Sequence, residues 1–202
     1  MNITILGAKD VGSTLGRRFS EVGHTVKFGV RSPEDYAGSD LTGPVDTVTN
    51  AVSDAEIIVL ALPFASAPAA LTECGDLNGK IIIDATNPLA MGDQGLYLTV
   101  GFDDSGAEQI AKHAPGAHFV KCFNSTSFLN MGDPRGSMMF VCGDDAGSNE
   151  MVRNLSNEIG FDTINIGALK QARLLEPLAM LFIHLAFTTE LKWDFALKIE
   201  RK

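Results

Sequence analysis

Ile3-Thr4-Ile5-Leu6-Gly7-Ala8-Lys9-Asp10-Val11-Gly12 is the stretch whose reading decides the fold. Ile3–Leu6 is a short apolar run ending in glycine, the pattern of a buried strand. Val11, Leu15, Phe19 and Val22 then recur at the spacing of one helix face, which predicts a helix over Val11–Val22, closed by Gly23-His24. A turn from Gly7 to Gly12 between such a strand and such a helix is where a doubly wound fold takes a dinucleotide. Gly7 permits the tight turn, and the unpaired N–H groups of the first helical turn are then free to face a pyrophosphate. Gly12 lets helix and strand approach closely, and Gly16 extends that contact. Lys9 stands where the middle glycine of the motif usually does, and its ammonium is expected to swing outward and meet phosphate as a point charge. An ordinary surface turn is the alternative.

Outward from this unit the same alternation repeats. Val26–Val30, Ile57–Leu62, Lys80–Asp84, His118–Phe123, Met138–Val141 and Phe161–Ile166 read as strands, and Val45–Ser53 as a short strand and a short helix. Helices are predicted over Ala65–Leu71, with Pro68 tolerated near its first turn, Ala107–His113 and Ala146–Ile159. Asp144 and Asp145 suit the positive end of the last of these. Gly92–Gly106 reads as loop. Short strands alternating with helices predict an α/β architecture of Rossmann type: doubly wound, mainly parallel, with helices on both faces of the sheet. Residues 1–167 form the expected dinucleotide-binding part, and 168–202 a C-terminal helical segment appended to the same domain.

Composition narrows the function classes. Of 202 residues, 45% are hydrophobic and 20% charged, enough apolar material for a core and too much for a disordered chain. Asp and Glu outnumber Lys and Arg by 25 to 16, a net charge of −9, so nucleic acid and anionic membrane surfaces are poor partners. Ile57–Leu71 is broken by Pro63 and Pro68 and falls short of the ~18 residues a membrane span needs. No targeting leader is read at the start, and a cytoplasmic location is expected. Cys74, Cys122 and Cys142 are widely spaced without a Cys-x-x-Cys pair, which predicts buried free thiols and no metal site.

The tip of the second strand bears on the nucleotide. An NAD site places Asp or Glu there, ~20 residues after the glycines. Here Val26–Val30 runs into Arg31-Ser32, a guanidinium fork and a hydroxyl, which suit the 2′-phosphate of NADP. Glu34 and Asp35 follow and oppose an anion.

Taken in order, several stretches resemble the NADP-dependent oxidoreductases of coenzyme F420, a deazaflavin, with the flavin-using reductase domain of six-transmembrane metalloreductases as a cousin. The matching stretches are Ile5-Leu6-Gly7 with its loop, Gly29–Ser32, Ala61–Phe64, Ile83–Leu89, Val120–Asn124, Val141–Asp145, and Gly167–Leu169 with Ala172–Glu176. The resemblance implies NADP(H) as cofactor, with Ala8, Lys9, Asp10 and Val11 on the pyrophosphate and Arg31 with Ser32 on the 2′-phosphate. It places Leu62, Pro63 and Phe64 along the adenosine and ribose, with Pro68 nearby, and Asn87, Pro88 and Leu89 beside the nicotinamide. Coenzyme F420, FMN or FAD is the implied acceptor. The sequence departs from the family at Lys9, at Phe64 in place of Trp, and at Asp35 where a basic residue is expected.

No catalytic acid or base is legible. His24, His113, His118 and His184 are dispersed and none shows a recognisable spacing to a carboxylate. Reduction of a carbonyl needs a proton donor, whereas hydride transfer between two flat heterocycles needs the rings stacked with reacting carbons ~3–3.5 Å apart. Leu174–Phe187 is apolar nearly all round, which predicts a helix buried on every side. A homodimer through this helix, covering the acceptor pocket, is the economical expectation, and burial within one subunit the alternative. Arg173 and Glu176 are spaced to pair with each other on its surface. Two other readings stay open: a non-catalytic NADP(H)-binding sensor module, and a reductase of another small acceptor. Imine and hydroxy-acid reductases with a similar N-terminal part carry a large helical C-terminal domain for which this chain is short.

Overall fold

The computed structural model describes Met1–Lys202. The strands are β1 (Asn2–Leu6), β2 (Thr25–Val30), β3 (Val45–Thr47), β4 (Ile57–Leu60), β5 (Ile81–Asp84), β6 (Leu89–Gly92), β7 (Gly95–Leu98), β8 (His118–Lys121), β9 (Met138–Gly143) and β10 (Asp162–Asn165). The helices are α1 (Asp10–Glu21), α2 (Val48–Ala51), α3 (Ala67–Glu73), α4 (Gly106–Ala111), α5 (Phe128–Gly132), α6 (Ala146–Glu158) and α7 (Ala172–Thr188).

Eight strands form one sheet in the order β10-β9-β8-β5-β4-β1-β2-β3. Every neighbouring pair is parallel except β8 and β9, which run antiparallel over Val120↔Gly143 and Lys121↔Cys142. Ile57–Leu60 of β4 and Ile81–Ile83 of β5 are apolar at every position because both faces are covered. Ile57, Val59, Ile81 and Ile83 pack with Leu15 and Phe19 of α1 and Val152 and Leu155 of α6. Ile58, Leu60 and Ile82 face the opposite way, onto Ala67 and Leu71 of α3, Ile110 of α4 and Leu175 of α7. The chain moves outward from β1 to β3 and returns to the other side of β1 at β4, so the direction of winding reverses between β1 and β4. A crevice outside the carboxyl ends of those two strands is the geometric consequence.

Several sequence expectations are corrected. The stretch read as loop from Gly92 contains a hairpin, β6 pairing with β7 from Leu89↔Leu98 to Gly92↔Gly95, with Gly95 at φ +101° closing its turn. Helix α5 gave no periodic signal because it is barely more than one turn; Ser127 caps it by accepting from the Asn130 N–H. The helix expected from Ala65 begins as a 3₁₀ turn, Phe64–Ser66, and becomes α-helical at Ala67. Helix α7 is not buried all round: Leu174, Leu181 and Phe187 are 64%, 52% and 67% exposed, while Ala172, Leu175, Glu176, Ala179, Phe182 and Ala186 form its inner face. Arg173 and Glu176 do not pair with each other. Arg173 forms a two-pronged bond to Glu108, both contacts 2.8 Å, and Glu176 points into the interior. The three thiols are free and buried. No helix is long and apolar enough to cross a membrane.

Candidate functional site

The crevice at the winding reversal is a half-open cleft of about 630 Å³. Its floor is the turn after β1. Gly7 adopts φ +101°, and a Cβ there would collide with the Ala61 carbonyl, so only glycine lets the backbone leave β1 this close to β4. A Cβ on Gly12 would strike the Gly7 carbonyl, so the helix-packing role read for Gly12 is met by contact with the loop itself. Lys9 is the N-cap of α1, carries no acceptor, and no side chain caps the helix. The first-turn N–H groups therefore stay open to an anionic ligand at the cleft, which Lys9, Asp10 and Val11 line.

Gly7, Ala8, Lys9, Asp10, Val11, Arg31, Leu62 and Pro63 of the expected set line the cleft. Ser32 follows Arg31 but lies outside the lining, at the start of the 3₁₀ turn Pro33–Tyr36, and Pro68 sits early in α3. Phe64 and Pro88 both crowd the start of α4: a Cβ on Gly106 would meet Phe64 Cε2 at 2.8 Å and Pro88 at 3.1 Å. Asn87 is engaged in a reciprocal pair. Its Nδ2 donates to the Asn124 carbonyl at 2.9 Å, and Asn124 Nδ2 donates to Asn87 Oδ1 at 3.0 Å. Pro88 holds Thr99 through its carbonyl, which accepts from both the Thr99 N–H and hydroxyl, and Leu89 opens the hairpin. Pro88 and Leu89 thus lie at the far end of the β5 exit, past Ala85, which does line the cleft.

Residues that sequence reasoning did not single out complete the wall: Gly29, Tyr36, Val48, Ser66, Ala69, Ala70 and Glu73. The cleft's titratable side chains are Lys9, Asp10, Arg31, Tyr36 and Glu73, and no histidine lines it. His24 lies elsewhere, its Nε2 2.9 Å from Glu158, a pairing between chain-distant helix ends that no local spacing reveals.

The larger omission is ionic and buried. Register places Lys121 beside Asp84 at the carboxyl ends of β8 and β5. Lys121 Nζ donates to Asp84 Oδ2 at 2.9 Å and to the Thr86 carbonyl at 2.6 Å, and lies 3.2 Å from Glu176 Oε1. Burial pushes the ammonium down, but the Asp84 and Glu176 carboxylates outweigh it and hold Lys121 above its ordinary value. The other oxygens are also used: Asp84 Oδ1 accepts the Thr86 N–H, and Glu176 accepts the Gly106 and Ala107 N–H groups at the start of α4. Each of the three interrupts an otherwise apolar run, which is the one sequence signal that could have exposed them.

Comparison with known proteins bears on the family and the fold. Residues 2–88 match the model of the coenzyme F420-dependent NADP oxidoreductases. A solved structure from Arthrobacter sp. FB24, assigned provisionally as an F420-dependent NADP reductase, superposes with a TM-score of 0.88 at 31% identity, covering 98% of this chain and 99% of that one. The chain belongs to the coenzyme F420-dependent NADP oxidoreductase family. Within that family, the F420-dependent NADP reductase of Methanothermobacter thermautotrophicus is 28% identical over 92% of this chain and 89% of its own length. The rat metalloreductase STEAP3 is 31% identical over 88% of this chain, which spans 36% of that longer protein.

Proposed function

We propose that the protein transfers hydride between NADP(H) and a deazaflavin of the coenzyme F420 type, or a flavin such as FMN or FAD, by stacking the two rings. The observation that carries this reading is the cleft at the winding reversal, with an uncapped helix N-terminus at its floor and Arg31 at its rim. The residues present fit the cofactor. Backbone N–H groups of the Gly7–Gly12 turn receive the pyrophosphate, and Lys9 adds charge to it. Arg31, with Ser32 following, receives the 2′-phosphate; no carboxylate stands at the tip of β2 itself, and Glu34 and Asp35 in the next turn work against it. Leu62, Pro63 and Phe64 flank the ribose and adenosine side, with Pro68 behind them, and Asn87, Pro88 and Leu89 border the nicotinamide.

A bound nicotinamide supplies or accepts the hydride at its ring carbon. The side chains are then required to hold the ring, exclude water and bring the reacting carbons together, and the acceptor's ring nitrogen exchanges its proton with water. No side-chain acid or base is assigned. In this reading residues 1–167 bind the dinucleotide, residues 168–202 complete the acceptor side, and the exposed apolar residues Leu174, Leu181 and Phe187 meet a second copy in a cytoplasmic homodimer. Light scattering at dilute and concentrated protein tests the dimer.

The test of function is to mix the protein with NADPH and, separately, coenzyme F420, FMN, FAD and a quinone, following loss of nicotinamide absorbance. Turnover with F420 or a flavin is expected. NADPH binding without turnover of any acceptor would make the protein a sensor module. Turnover of the quinone alone would make it a reductase of another class.

A further inference from the structure

The buried cluster of Asp84, Lys121 and Glu176 has no place in ligand binding as described so far. Asp84 and Lys121 are fully buried and Glu176 nearly so, and no ligand reaches them directly. Stability alone is a weak reason for three buried charges, because replacing such a group with neutral residues of similar volume is often harmless. What the cluster does have is a specific address. Lys121 grips Asp84 through its carboxylate and Thr86 through its carbonyl. Between them sits Ala85, the cleft wall at the exit of β5. Through Glu176 the same ammonium is tied to α7 and to the first N–H groups of α4. Two residues past Lys121, Phe123 is held buried at φ +63°, a left-handed conformation uncommon for a phenylalanine. The next residue, Asn124, then bonds both Asn87 and the Leu175 carbonyl. Two sets of bonds, one ionic and one amide, thus fasten the Asp84–Asn87 segment to α7.

We propose that Lys121 is a positioning residue, which acts through Asp84, Thr86 and Glu176 to hold Ala85 at the cleft wall, and with it the Asn87–Leu89 segment beyond at the nicotinamide end, in one place. The adenosine end is built on Gly29, Arg31, Ala70 and Glu73, none of which touches the cluster through a hydrogen bond or ion pair, so it is independent of Lys121. The inference rests on the orientation of the dinucleotide proposed above, and it predicts that the two halves of the cofactor respond differently to loss of the cluster.

The experiment compares NADPH with adenosine 2′,5′-bisphosphate, which lacks the nicotinamide half, by calorimetry on the full chain. The variant is Asp84→Asn/Lys121→Met/Glu176→Gln. It removes the charges, keeps an acceptor for the Thr86 N–H, and leaves one side-chain oxygen to be shared by the Gly106 and Ala107 N–H groups, which Glu176 meets with two. The bisphosphate is expected to bind within twofold of the original protein, whereas NADPH affinity falls about tenfold. Glu176→Gln alone, which keeps the Lys121–Asp84 pair, shifts NADPH in the same direction by a smaller factor and carries the test if the triple variant does not fold. Equal weakening of both ligands, or no change in either, overturns the proposal, since a purely structural role moves both together. Failure of the unaltered protein to bind either ligand overturns the reading of the cleft itself, a separate result.

Discussion

The turn at Gly7–Gly12 and the cluster at Asp84, Lys121 and Glu176 lie at the same carboxyl edge of the sheet, yet they are built by opposite means. The turn is contiguous in sequence, made of backbone, and borders the open cleft, with Lys9 and Asp10 as its charged residues and Arg31 lining the same cleft from the end of β2. The cluster gathers residues from three distant segments, is made of side chains, and is closed to water. At the turn, unmade hydrogen bonds are the working feature, because a ligand can complete them. In the cluster nearly every charged atom is matched, because an unpaired charge in that interior is costly. In the proposed reading, binding falls to the turn and positioning to the cluster, and substitutions can test the separation.

The largest effect is expected from Lys121→Met alone. It leaves two carboxylates buried without their cation, and a urea unfolding midpoint should report a stability loss of ~3–5 kcal/mol. A loss below ~1 kcal/mol would mean that water reaches the cluster and that the contrast with the turn is false. Arg31→Ala comes next. It should weaken NADPH by ~1.5–3 kcal/mol, the scale of a hydrogen bond to a charged group, and leave NADH and the unfolding midpoint unchanged. Equal weakening of NADH and NADPH would place the guanidinium somewhere other than on the 2′-phosphate.

Lys9→Ala should be milder, about 0.3–1 kcal/mol against NADPH and NADH alike, as suits an exposed charge near an anion. Its effect should vanish in high salt, and persistence there would point to a direct, desolvated bond. The smallest expected signal is thiol labelling. Burial, reinforced by Glu73, pushes Cys74 up to about 11, and burial pushes Cys142 up to about 12, so either is thiolate only above those values. At pH 8 the thiolate fraction of Cys74 is about one part in a thousand, and a disulfide reagent should label the folded chain slowly, with the rate rising as pH climbs. Rapid labelling at pH 8 would mean that α3, beside the cleft, opens readily.

Much of the architecture was legible because its signals are local. Val11, Leu15 and Phe19 mark a helix face whatever the chain does elsewhere, and runs such as Ile57–Leu60 and Ile81–Ile83 can be apolar throughout only in a sheet covered on both sides. The Gly7 turn was legible for the same reason, as a glycine directly after a strand and before a helix; its φ of +101° is local, whereas its contact with Ala61 belongs to the tertiary structure. The β6–β7 hairpin was missed because Leu89–Leu98 alternates weakly between two glycines, and its pairing is fixed by packing of β7 against α7. Helix α7 was legible as a helix but not in its burial, since an apolar sequence does not say which face finds a partner.

The sequence by itself determined the order of the eight strands of the main sheet and of every helix but α5, the glycine turn and the guanidinium that follows β2, because propensity and periodicity act between neighbours in the chain. Only the tertiary structure decided that Arg173 turns to Glu108 and Glu176 to Lys121. A charge is driven inside only when burial makes a distant opposite charge its sole adequate partner, and that choice does not exist until the sheet and its helices have closed.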